Sequence, residues 1–167
     1  EDPRPIVLDS FCGTGMSTAI LAAQSPESWV VGVDKSAHRL ARHQPTEHSN
    51  YLLLRAEAEP FWCCLAEAGI TLHSHWLLYP NPWPKAAQFT KRLHGHGAFP
   101  ILSQLGGVLE MRTNWHLFIQ EFALAADLIG LKGSIQTVSP APPMTLFERK
   151  YHQRGQTLWR FSGAFFN

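Results

Sequence analysis

Apolar residues in this chain fall into short blocks whose internal spacing switches between two periods. Ile6–Asp9 (IVLD) and Trp29–Asp34 (WVVGVD) are compact runs of the length that strands use, whereas MSTAILAAQ after residue 15 repeats apolar positions at helical spacing. Carried along the chain, this pattern predicts strands near residues 5–9, 29–34, 51–55, 72–79, 106–112, 134–139 and 157–162. Helices are expected near 15–24, 36–43, 58–68, 98–104 and 115–129. Such alternation defines an α/β fold, a doubly wound and mainly parallel sheet that binds ligands at the carboxyl ends of its strands. The last strand, TLWRF, follows a long loop rather than a helix and is expected to insert antiparallel. Pro140-Ala141-Pro142-Pro143 reads as a rigid connector leading to Thr145. Repeats and low-complexity tracts are absent, so residues 1–167 are expected to form one domain.

Composition narrows the class. With 45% of 167 residues hydrophobic, the chain can bury a single core without a metal or disulfide staple. No apolar run reaches membrane-spanning length, and no signal peptide is visible. Cys12, Cys63 and Cys64 are an odd set without zinc-knuckle spacing, which reads as reduced thiols in a cytoplasmic protein. The sequence begins Glu1-Asp2-Pro3 without methionine, and a leading segment is expected to precede it. A net charge of +1 is only weakly basic, but the cations cluster. Lys85, Lys91, Arg92, His94 and His96 form one group, and Arg149, Lys150, Arg154 and Arg160 another. Brought together they would make one phosphate-binding rim; apart, they are two solvated faces. The pairs His73/His75 and His94/His96 lack carboxylates at ligand spacing, so the histidines are expected at the surface or rim and no metal is expected.

The first candidate site is the turn after the first strand, Ser10-Phe11-Cys12-Gly13-Thr14-Gly15, which opens a helix. Gly13 and Gly15 permit positive φ and close approach to a ligand, and the helix start offers unpaired N–H groups. Asp34 ends the next strand about 20 residues later, the spacing at which a carboxylate meets ribose hydroxyls. A nicotinamide oxidoreductase would be suggested by Gly13, Gly15 and Asp34 alone. Two details oppose a dinucleotide: Thr18 stands where the third glycine belongs, and Asp9 at the strand end would repel a pyrophosphate. Asp9 would suit a cationic ligand, and Cys12 would pack beneath it. The pattern D-x-x-C-G-x-G with a second strand ending in Asp resembles motifs I and II of class I S-adenosylmethionine-dependent methyltransferases.

The second candidate site is WLLYPNPWPK, Trp76–Lys85, an apolar strand that runs into a proline-stiffened corner. Three prolines leave Asn81 on a rigid support beside the stacking face of Trp83. Together with the cofactor turn, YPNPWPK resembles the (F/Y)-P-D-P-W-x-K motif of the bacterial tRNA (guanine-N(7)-)-methyltransferase family. Further matches follow in order: Lys91-Arg92, Leu105-Gly106-Gly107, Thr113-Asn114-Trp115, and Thr145-Leu146-Phe147-Glu148-Arg149. The resemblance spans about Ile6 to Phe161 and implies a Rossmann-like fold. It implies that Asp9, Gly13, Gly15, Asp34, Ala56 and Glu57 surround S-adenosylmethionine, with Asn81 beside its methyl group as the catalytic position. Lys85, Asn114, Thr145, Phe147 and Glu148 would then face the target nucleotide in tRNA or another RNA. The family usually has acids where this chain has Asn81 and Asn114. Guanine nitrogen 7 carries a lone pair and no proton, so methyl transfer to it needs alignment and charge stabilisation without a general base. An Asn-Pro-aromatic corner also resembles the site of exocyclic-amine methyltransferases, and the two asparagines fit a non-catalytic cofactor- or RNA-binding subunit as well. Monomer and homodimer are both compatible with the sequence.

Overall fold

The computed structural model describes residues 3–165; Glu1 and Asp2, on which the expectation of a missing leader rests, lie outside them. Strands β1 (Ile6–Ser10), β2 (Trp29–Asp34), β3 (Tyr51–Arg55), β4 (Ser74–Leu78), β5 (Val108–Thr113), β6 (Leu131–Val138) and β7 (Leu158–Phe165) form one sheet. Their order is β3-β2-β1-β4-β5-β7-β6. The first five are parallel, and β7 lies antiparallel between β5 and β6, as the sequence led us to expect.

Side-chain alternation along the strands sorts the core onto the two faces of the sheet. Leu8, Val33, Leu77 and Met111 meet Trp62 from α3 (Ala58–Glu67), Leu102 and Leu105 from α4 (Leu102–Leu105), and Phe118 and Phe122 from α5 (His116–Leu128). On the other face Val7, Val30 and Leu78 pack against Leu21 and Ala22 of α1 (Met16–Gln24) and against Met144. Met144 leads into α6 (Leu146–Gln153). The chain order reverses beside β1, which has β2 on one side and β4 on the other. A crevice therefore opens at the carboxyl ends of β1 and β4, where doubly wound sheets hold their ligands.

Several elements depart from expectation. The helix expected over 36–43 contracts to α2 (Ala37–Leu40), and that over 98–104 becomes a 3-10 turn, Phe99–Ile101, followed by the four-residue α4. β6 begins at Leu131 and β7 continues to Phe165 because the two pair along their whole length. The largest difference is α6, which fills what reads in the sequence as a loop. Thr145 caps it, its Oγ1 accepting from Glu148 N at 2.9 Å. The helix is only 8 residues long and polar overall, so no apolar run announces it. Among the described residues no helix is long and apolar enough to cross a membrane.

Candidate active site

The turn after β1 is built on two carboxylates with different tasks. Asp34 ends β2 at the crevice, where its Oδ2 accepts from Gly13 N at 2.9 Å and its Oδ1 from Ser36 N at 2.8 Å. The Arg39 guanidinium stands 3.6 Å away. Asp9 is fully buried beneath the turn, and its Oδ2 accepts from Ser17 Oγ at 2.6 Å and Thr18 Oγ1 at 2.8 Å. Burial pushes its carboxyl up to about 6 despite these hydroxyls, and Asp34 adds to the rise. Asp9 thus holds the first turn of α1 and does not line the cleft, which corrects its expected place against the ligand. Its Oδ1 has no hydrogen-bond partner.

The two glycines also differ. At Gly13 (φ +61) an added Cβ would meet nothing within 4 Å, so the backbone there faces open space in the cleft. At Gly15 (φ +80) a Cβ would stand 2.6 Å from Leu53 and 2.9 Å from His43. Gly15 therefore serves packing and lies outside the cleft lining. His43 ties the turn to β3, donating from Nδ1 to Thr14 O at 2.7 Å and accepting from Tyr51 Oη at Nε2 at 2.8 Å. Cys12 is buried against the cleft, and burial together with Asp9 and Asp34 pushes its thiol far up, leaving it protonated.

One cleft of about 850 Å3 joins this turn to the proline corner. Gly13, Asp34, Ala56 and Glu57 line it on the β1–β3 side; Asn81, Trp83, Thr145 and Phe147 line it beyond β4. Asn81 is exposed, and its Oδ1 accepts from Trp83 N at 3.2 Å, closing an Asx turn that leaves the Nδ2 amide as the group presented. Among the described residues the non-glycine residues with positive φ are Phe11, Tyr79 and Trp83, and all three line this cleft. Backbone strain is thus concentrated at the site.

Behind the corner lies a buried polar layer. Glu148 is fully buried, its Oε2 accepting from Tyr79 Oη at 2.6 Å and Arg112 NH1 at 3.1 Å. Its Oε1 accepts from Met144 N at 3.0 Å. Glu148 is therefore committed to the protein interior, which corrects its expected place before a nucleotide. Arg112 also donates from Nε to Glu110 at 2.6 Å; burial opposes its charge, but Glu110 and Glu148 together hold its proton more tightly than usual. Asn114 donates to Gln156 Oε1 at 2.8 Å and Lys85 is exposed, both outside the cleft lining.

The basic rim is only partly assembled. Lys91 and Lys150 line the same cleft, so the two cationic segments do meet. Arg92, however, is 5% exposed and turned inward, with NH1 donating to both oxygens of Glu121 at 2.9 and 2.8 Å. His94 is buried too and donates from Nε2 to Glu121 at 2.8 Å, while burial lowers its proton affinity. His75 is buried, its Nε2 2.8 Å from Ser10 Oγ, and desolvation pushes it down to about 3, so it is neutral. The expectation of surface or rim histidines fails at these positions. Sequence reasoning missed the roles of Arg92, Arg112 and Glu121, whose partners are remote in sequence. The T-x-x-E spacing at Thr145–Glu148 was the one local signal, and it marks a helix start.

A parallel sheet with one antiparallel insertion, a glycine turn answered by Asp34, and a ligand cleft at the strand reversal together define the class I methyltransferase fold. The chain belongs to the family described as "Putative methyltransferase", whose model matches residues 3–161. It is 28% identical to a tRNA (guanine-N(7)-)-methyltransferase of Mycolicibacterium gilvum over 165 residues, covering 87% of this chain and 62% of that protein. The figure is 26% for the protein of the same name from Pseudoalteromonas atlantica over 177 residues, covering 93% and 70%. The chain thus spans about two thirds of the length of these relatives. In fold it resembles a mutant 16S rRNA (adenine(1408)-N(1))-methyltransferase from Catenulisporales acidiphilia with cosubstrate SAM. That match has a TM-score of 0.65 and 17% identity, covering 98% of this chain and 86% of that one.

Proposed function

We propose that this chain methylates a guanine ring nitrogen in RNA, with tRNA the first candidate, using S-adenosylmethionine. The observation that carries the reading is that one cleft holds both the Gly13–Asp34 turn and the Asn81 corner. The residues suit the cofactor: the open space beside Gly13 admits a ligand against the backbone, and Asp34 keeps lone pairs for ribose hydroxyls. Bound there, S-adenosylmethionine would supply an electrophilic methyl group. Asp34 would anchor the ribose and Glu57 would stand beside it. Beyond β4, Trp83 and Phe147 offer apolar faces to a base, and Lys91 and Lys150 attract phosphate. Asn81 orients the base edge through Nδ2, which suits an acceptor such as the guanine carbonyl beside nitrogen 7. Nitrogen 7 has no proton to lose, so no general base is needed.

The exocyclic-amine alternative would use the second lone pair of Asn81 Oδ1, whose first is taken by Trp83 N, whereas the guanine reading uses the Nδ2 amide. A tRNA substrate makes the cytoplasm the working compartment. Incubation with S-adenosylmethionine and unmodified total tRNA, followed by nucleoside mass spectrometry, is expected to yield 7-methylguanosine. A methylated exocyclic amine would favour the alternative. Stabilisation by S-adenosylhomocysteine without any methylated nucleoside would favour a non-catalytic binding subunit, and stabilisation by NAD instead would sink the methyltransferase reading.

A further inference from the structure

The Asn81 corner is bracketed by two aromatic residues in the left-handed region, Tyr79 at φ 54 and Trp83 at φ 44. A side chain at such φ strains the backbone, and the conformation persists only where surrounding contacts over-determine it. Glycine would adopt both positions freely, so something must hold the aromatic residues there.

Each bracket is tied by an arginine that is itself fixed by a buried or half-buried glutamate. Downstream, Arg92 donates from Nε to Trp83 O at 3.0 Å and from NH2 to Pro84 O at 3.3 Å. Its third nitrogen grips Glu121 of α5, and His94 holds the same carboxylate. Upstream, Tyr79 N donates to Arg112 O at 2.8 Å, and Tyr79 Oη shares Glu148 with the Arg112 guanidinium. The prolines stiffen the corner but remove three of its backbone donors, and the Trp83 amide is turned to the Asn81 side chain. Arg92 is 5% and Arg112 8% exposed, and neither lines the cleft; all three Arg92 nitrogens donate within the protein, as do Nε and NH1 of Arg112. The fork of a guanidinium is needed, because one side chain must bridge two backbone carbonyls and a carboxylate.

We infer that Arg92 and Arg112, each through its glutamate, are positioning residues that hold the Asn81 corner in its left-handed geometry, and that neither touches RNA. The consequence for turnover rests on the proposed methyltransferase reading, whereas the consequence for corner geometry does not.

The test uses Arg92→Lys, which keeps the charge and loses the fork, with Glu121→Gln as a second variant if the first does not fold. Protein labelled with 5-fluorotryptophan is expected to show the fluorine line of Trp83 shifted in either variant while that of the distant Trp29 stays put. In single-turnover assays the rate of methyl transfer should fall by at least about tenfold, with KM for RNA and affinity for S-adenosylhomocysteine held within about threefold. Placing Trp83→Gly beneath Arg92→Lys should shrink the rate penalty of the lysine to within about threefold, because glycine needs no clamp. A raised KM for RNA with an unchanged rate would make Arg92 a phosphate contact and overturn the inference. An unmoved Trp83 line would overturn it too, and decides the matter alone if the wild-type protein methylates none of the RNAs offered.

Discussion

The two walls of the cleft are held by different chemistry. On the β1–β2 wall, carboxylates at strand ends gather backbone amides and hydroxyls over shorter separations: Ser36 N lies 2 residues from Asp34, Ser17 and Thr18 lie 8 and 9 from Asp9, and Gly13 N lies 21 from Asp34. On the corner wall, guanidinium and phenol groups restrain a strained backbone over long separations. Arg92 lies 29 residues from Glu121, Arg112 36 from Glu148 and Tyr79 69 from Glu148. A wall of the first kind follows from local chain geometry and tolerates change around it. A wall of the second kind exists only when several distant side chains are right together, which suits a part that must aim one amide.

The comparison breaks most visibly at Asn81. Asn81→Ala should cost about 2–4 kcal/mol of transition-state stabilisation in single-turnover methyl transfer, if it acts like other oriented polar groups. Asn81→Asp should also lower the rate, because a carboxylate can still close the turn to Trp83 N but has no N–H to offer the guanine carbonyl. Equal rates for Asn, Asp and Ala would reduce the corner to a structural device.

On the other wall, Asp9 offers a test by pH. Its carboxyl is near 6 when folded and near 3.8 otherwise, so the fold prefers it protonated. That preference supports stability fully below pH 4 and is lost as pH rises through about 6. Asp9→Asn should remove this loss and stabilise the unliganded protein at pH 7 by up to about 3 kcal/mol, with little change at pH 4. Urea melts at both pH values check it, and equal effects at pH 4 and 7 would contradict it.

Asp34→Ala should weaken S-adenosylhomocysteine by about 1.5–3 kcal/mol, or roughly ten- to a hundredfold in a calorimetric titration, since it both faces the ligand and holds Gly13 N. The smallest effect is expected at the rim. Replacing Lys91 and Lys150 with Ala should flatten the salt dependence of tRNA binding by about 0.7–0.9 in log–log slope for each phosphate no longer neutralised, leaving cofactor affinity unmoved. Tight tRNA binding without salt dependence in the wild type would exclude a phosphate rim.

This division also explains what can be read from the chain. The mainly parallel sheet, the ligand crevice and the antiparallel last strand follow from local apolar runs and their alternation, whereas the strand order does not; Gly13, Asp34 and Asn81 are legible because turn chemistry and spacing are local. Arg92 and Glu148 read as ligand-facing for the opposite reason. A charge in a motif looks the same whether it meets solvent or a carboxylate from another element, and only the tertiary fold brings Glu121 to Arg92 or Tyr79 to Glu148. α6 escapes because it is only 8 residues long and polar overall, although Thr145 and Glu148 carry its capping signature.

The placement of β7 between β5 and β6 imposes an order of assembly during synthesis. β1 to β5 pair among themselves, but β6 pairs with β7 alone, and β7 is made last. At about 5–20 residues per second, β6 waits on the order of 1–5 s for its partner after leaving the ribosome. In that interval β5 presents a bare edge. Arg112 sits on that strand, and Glu148 emerges between β6 and β7. The corner that aims Asn81 is therefore locked only after Glu148 has emerged, later than the Asp9 and Asp34 contacts of the opposite wall.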